Sequence, residues 1–84
     1  MSRAGELMQA HNAWIQRGFD EGVFVLVGSL QPRLGGVIVA GPTTRAEHEE
    51  RVRADPFVVH DVVQVELLEI APSKVDPRLA FLVA

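Results

Sequence analysis

Apolar residues recur at steps of three and four through the first quarter of the chain. Leu7, Ala10, His11, Trp14, Ile15 and Gly18 fall on one face of a 3.6-residue period, with Gln9, Asn12, Gln16 and Arg17 toward the other. This predicts a helix over residues 2–20, stopped at Gly22. The pattern then changes. Val23-Phe24-Val25-Leu26-Val27 is a short, continuous, β-branched run, which predicts a strand buried on both faces and ended by Gly28-Ser29-Leu30. Gln31-Pro32-Arg33-Leu34-Gly35-Gly36 supplies turn chemistry, and Val37-Ile38-Val39-Ala40 predicts a second buried strand, so the two form a hairpin.

Gly41-Pro42 breaks that strand. Thr44 and Glu47 have capping-box spacing and open a helix expected to run to about Ala54. Glu47 with Arg51, and Glu49 with Arg53, stand at helical i,i+4 spacing. The apolar face of this helix is thin (Ala46, Val52, Ala54), as on a surface helix. Asp55-Pro56 is a stop and restart, since Pro disfavours the helical region for the residue before it and suits a first helical position. Residues 62–70 alternate Val63, Val65 and Leu67 with Gln64, Glu66 and Leu68, predicting a third strand. Asp76-Pro77 repeats the Asp-Pro step before a tail whose Phe81 and Leu82 want cover. The predicted order is α-β-β-α-β, an α+β class in one domain spanning residues 1–84, with 71–84 as a C-terminal tail.

Composition narrows the partners. The 84-residue chain carries a net charge of −3, with 48% hydrophobic and 23% charged residues and no basic block. That fits a globular domain and argues against nucleic acid. No apolar run reaches the roughly 20 residues of a membrane span, and the first residues lack an apolar signal core, which makes the cytoplasm the expected location. A chain this short buries only about 60–65% of its unfolded surface. With no cysteine to staple it, a homodimer or higher homo-oligomer is the expected source of additional burial.

Two side chains are candidates for chemistry. His11 lies on the apolar stripe, where a histidine is more often a hydrogen-bonded core residue than a proton-transfer group. Asp55 is first of all a helix cap, and the repeat at Asp76 shows that the step needs no catalysis. If Asp55 reached His11, it would fix the imidazole tautomer and raise the basicity of the other nitrogen. The two roles are compatible because a carboxylate has two oxygens. Ser29 lacks a nucleophile-elbow context and suits a hydrogen-bond donor better. Trp14 reads as core before stacking platform. His48 sits among charges and reads as solvated. His11, His48 and His60 have no metal-ligand spacing, so no metal is expected.

The pieces His11-Asn12-Ala13-Trp14-Ile15, Gly22-Val23-Phe24, Gly28-Ser29-Leu30, Gly35-Gly36, Arg53-Ala54-Asp55-Pro56-Phe57 and Pro72-Ser73-Lys74, in this order and spacing, resemble the YCII-related family over nearly the whole chain. The resemblance implies a ferredoxin-like fold that dimerises into a dimeric α+β barrel, with a His–Asp pair at His11 and Asp55 as catalytic residues. Ser29, Phe57 and Trp14 would then line a substrate pocket. It implies cofactor-free proton transfer, as isomerisation, elimination or a hydrolysis-type reaction, on a small cyclic or aromatic molecule. The alternative is a non-catalytic ligand-binding or interaction module on the same scaffold. The chain departs from the family in one respect: the family opens with a strand before the His-bearing helix, and that strand is central in the sheet. We expect in-frame upstream sequence to encode roughly six to eight apolar, β-branched residues.

Overall fold

A computed structural model describes residues 3–83, with side chains from Gly5 onward. The first helix, α1, runs Arg3–Asp20, as the 3.6-residue pattern predicts; Ser2, where it was expected to begin, lies outside the described residues. Leu7, His11 and Ile15 are half-buried and Trp14 and Gly18 fully buried, while the intervening polar residues face water. Gly22 ends the helix. Its φ of +76° is a conformation open to glycine, and it lets the Gly22 amide donate to the Phe19 carbonyl (3.0 Å) and the Val23 amide to the Gly18 carbonyl (2.9 Å).

Strand β1, Phe24–Leu30, pairs antiparallel with β2, Gly35–Ala40. The ladder runs from Phe24 opposite Ala40 to Leu30 opposite Gly35, with an irregularity between Phe24 and Leu26 that leaves Val25 without an opposite number. The strands are longer than predicted. Gly28, Ser29 and Leu30 continue the ladder onto Val37, Gly36 and Gly35, since a glycine keeps the backbone amide and carbonyl that the ladder needs. Nor are the strands buried on both faces. Phe24 is covered by α1, but Leu26 remains 52% exposed and every later β1 residue is exposed, so among the described residues neither face of β1 is covered beyond its start.

Helix α2, Arg45–Arg53, opens on the predicted capping box. The Glu47 amide donates to the Thr44 hydroxyl (3.1 Å) and the Thr44 amide to Glu47 Oε1 (3.2 Å), and the Thr44 hydroxyl and amide hold the Glu47 carboxyl below its usual range. Glu49 and Arg53 meet at 3.9 Å as expected. Glu47 and Arg51 do not pair: Glu47 is committed to Thr44, and Arg51 reaches Glu21 beyond the end of α1. A single turn, α3, follows at Pro56–Val59. The tail forms a 3₁₀ segment, Pro77–Val83, kinked at Leu79.

The predicted third strand is not formed. Residues 62–70 join no ladder, and the sheet has two strands, β1 and β2. Alternation gives a segment the capacity to be a strand, but a strand exists only against a neighbour's unpaired edge, and no described segment lies beside this one in register. The result is an α+β chain with a thin core. Trp14 and Phe24 are the buried hydrophobics, each 3% exposed. The Cα radius of gyration is 14.0 Å, against about 12 Å for a compact domain of this length. Among the described residues no helix is long and apolar enough to cross a membrane.

Candidate functional site

The site is built where α1 meets α3. Asp55 occupies the N-cap of α3 in an extended conformation (φ −62°, ψ 124°), with Pro56 at the first helical position. Its Oδ1 accepts the Phe57 amide at 3.0 Å. The same Oδ1 lies 2.7 Å from Nδ1 of His11, which reaches it from the inward stripe of α1. Capping and pairing therefore fall on a single oxygen, instead of being divided between two as the sequence suggested. One carboxylate oxygen has two lone-pair directions, and the cap geometry points this one back toward α1.

This arrangement determines which histidine nitrogen is available. A carboxylate only accepts, so Nδ1 carries the proton and donates it, and in the neutral ring Nε2 bears the lone pair. No described protein group bonds Nε2. The carboxylate is nearly buried, with the Asp55 and His11 side chains 8% and 18% exposed, so little water competes for the bond. The ring is also held by stacking. Phe57 lies parallel to it, with centroids 4.1 Å apart and planes at 8°, and Trp14 lies 5.8 Å away at 26°. Trp14 is in turn fixed by its indole N–H, which donates to the Arg51 carbonyl at 3.0 Å, and by Phe24 packed edge-on at 5.2 Å. Phe24 can come this close because the helix passing over it has Gly18 at the contact: a Cβ there would stand 2.1 Å from the ring.

Of the site residues expected from sequence, His11, Asp55, Phe57 and Trp14 converge. Ser29 does not. It lies near the turn end of the hairpin, exposed and opposite Gly36, with no hydrogen bond to the dyad. A depression of about 380 Å³ opens between α1 and α2 beside Trp14, Arg17, Glu50 and Arg51, but His11, Asp55 and Phe57 do not line it. The His11 ring thus has stacked aromatic support, and neither this depression nor a second one beside β2 is lined by it.

His48 departs from its expected solvated role. It is half-buried, its ring meets the edge of Phe24 at 6.4 Å, and its Nδ1 is buried without a hydrogen-bond partner. Burial, with a smaller contribution from the nearby Arg51 charge, pushes the ring below its usual range. The sequence signal was its place one helical turn before Val52, an apolar residue half-buried on the same face. Among the described residues no group of three or more His, Cys, Asp or Glu is placed to hold a metal ion.

The described residues thus form a small α+β scaffold in which a helix-borne His meets the N-cap Asp of a later, short helix. The particular family is shown by comparison: the family model of the YCII-related domain matches residues 2–71, and the chain is a member of that family. No curated protein and no solved structure matches it.

Proposed function

We propose that this chain is a small enzyme-like protein that performs cofactor-free acid/base chemistry on a small cyclic or aromatic molecule, with His11 as general acid/base and Asp55 as the residue that orients and charges it. The single observation that carries this reading is the 2.7 Å contact between His11 Nδ1 and Asp55 Oδ1. It leaves Nε2 as the base. In the proposed cycle Nε2 takes a proton from an acidic C–H beside a carbonyl, and the resulting imidazolium is stabilised by the Asp55 carboxylate. The proton is then returned to a different atom of the same molecule, giving isomerisation, or passes from Nε2 to the leaving group as its bond to carbon breaks, giving elimination. Phe57 stacks against the imidazole and would present an apolar edge to a flat substrate.

A ferredoxin-like chain that closes into a dimeric α+β barrel with a second copy belongs to the same proposal. Its support is the uncovered apolar face of the hairpin, where Leu26, Leu30 and Val39 stand 52%, 45% and 38% exposed. A second subunit on that face would supply the cover that one chain lacks.

The test is hydrogen–deuterium exchange into a panel of small lactones and cyclic enones in heavy water, followed by NMR. Wild-type protein should accelerate exchange at an acidic carbon of at least one compound. His11→Ala should lose about 10²–10⁴-fold, the usual worth of a positioned general acid/base. Equal rates for wild type and His11→Ala across the panel would rule the reading out.

A further inference from the structure

The depression between α1 and α2 is independent of the sheet, since no residue of β1 or β2 lines it. Its apolar lining comes from Trp14, Val23 and Ala54. Its charged lining is Arg17 on α1 and Glu47, Glu50 and Arg51 on α2. Three of those four charges are engaged. Glu47 accepts from the Thr44 hydroxyl at 2.9 Å, Glu50 accepts from Arg53 at 3.0 Å, and Arg51 reaches Glu21. Arg17 differs. Among the described residues its guanidinium makes no ion pair and no hydrogen bond.

Both signs of charge with one unmatched cation define the occupant. A single carboxylate suits the Arg17 guanidinium, whose planar fork presents paired N–H donors. A second negative charge does not fit, because Glu47 and Glu50 share the lining and like charges at close range repel. A cation has no comparable place, since both carboxylates already have a donor. Thr43 can add a further donor to the acid. Its hydroxyl bonds the Thr44 carbonyl at 3.4 Å, a long contact that is given up at little cost. Trp14, Val23 and Ala54 suit an apolar body. The volume of about 380 Å³ lies at the small end of ligand-sized pockets and limits that body to about one ring.

We propose that this depression binds a small monocarboxylate with a single-ring apolar body, and that Arg17 takes the carboxylate. The site is distinct from the His11–Asp55 contact and touches it through one residue: Trp14 lines the depression and stacks on His11. The proposal does not rest on catalysis at His11 and is read by binding alone.

The experiment is a titration of the full chain with cyclohexanecarboxylate, followed by tryptophan fluorescence and amide NMR. Trp14 is the chain's single tryptophan, so its emission reports on this corner, and the amide shifts place the occupant. The expected result is a saturable change in emission, with shifts centred on residues 14–17, 23, 43 and 47–54. Cyclohexanecarboxamide has the same shape without the charge and should bind at least about tenfold more weakly. Arg17→Gln should weaken binding of the acid by a similar factor, at an exposed position that spares the fold. Glu50→Gln removes a repelling charge and should tighten binding roughly two- to fivefold. Absence of a saturable change, equal binding of the carboxamide, wild-type affinity in Arg17→Gln, weaker binding in Glu50→Gln, or shifts centred on α3 would each overturn the proposal. So would an acetylated tripeptide ending in Leu that bound more tightly than the acid, since the site would then belong to a peptide C-terminus.

Discussion

The chain makes the same turn twice and uses it differently. At Asp55-Pro56 and again at Asp76-Pro77 an Asp accepts, through Oδ1, the amide two residues on, at 3.0 Å from Phe57 and 2.9 Å from Arg78. The local device is identical: a carboxylate satisfies a free amide at the start of a helical turn that Pro has pre-set. The surroundings are not. Asp55 is buried and holds an imidazole 44 residues away. Asp76 stands in water and is occupied by the guanidinium of its own neighbour Arg78, whose Nε lies 2.9 Å away. A cap is therefore written in four residues of sequence, but the job of its charge is decided by what the fold brings to it. Only the first turn has a helix packed over it with a histidine at the contact.

The largest effect should come from removing that packing. Trp14 and Phe24 are the buried hydrophobics of the described core. Trp14→Ala should cost about 3–5 kcal/mol, the usual loss for a large buried aromatic, in a chain whose whole stability is of order 4–12 kcal/mol by size. Urea denaturation followed by circular dichroism should show the midpoint collapse, and the His11–Asp55 contact should vanish with it. A variant that kept its midpoint would mean that the α1–α3 corner is not the stable part of the molecule.

Next in size is the direct comparison of the two caps. Asp55→Ala removes a cap and a charge-assisted bond from a nearly dry site, and should cost about 2–3 kcal/mol in the same denaturation measurement. Asp76→Ala removes a cap in water and should move the midpoint very little. Equal losses would show that the buried pair adds nothing beyond capping.

Asp55→Asn separates the two jobs of one residue. Asn caps about as well as Asp, so stability should fall by about 1 kcal/mol or less. The imidazole, however, loses a charged acceptor, and ¹⁵N NMR of the His11 ring should show the Nδ1–H form giving way to a mixture of tautomers. An unchanged ring spectrum would reduce Asp55 to the rank of Asp76, a cap and nothing more, and the proposed chemistry would lose its orienting residue.

These contrasts also mark what could be read from the chain before its structure. The helix of residues 3–20, the stop at Gly22, the hairpin, the capping box at Thr44 and both Asp-Pro turns were legible because each is set by neighbours within a few residues. His11 and Asp55 were legible as candidates, but their contact depends on how α1 lies across α3, which no local pattern encodes. Residues 62–70 misled for a related reason. Their alternation is a genuine strand pattern, and they lack a paired edge to complete it. His48 was misread because the charged residues beside it masked its i,i+4 relation to Val52, which turns it inward against Phe24. Ser29 was placed near the site by its position after a β-branched run, when the ladder in fact continues past it to Leu30.

The smallest effect belongs to the exposed turn. The Arg78 guanidinium, followed by its amide, holds the Asp76 carboxyl below its ordinary value of 3.8. A carboxyl whose folded value lies below its unfolded one favours the folded turn above the unfolded value, and that preference is lost as the pH falls through the lowered folded value. The Arg78 amide reports on this directly, because it bonds the same Oδ1. Its proton shift should titrate with a midpoint below 3.8, and Asp76→Asn should abolish the titration while leaving the global urea midpoint in place. The sign is what makes the measurement useful. A midpoint above the ordinary value would mean that Arg78 does not hold the carboxylate, and the resemblance between the two turns would then stop at their sequence.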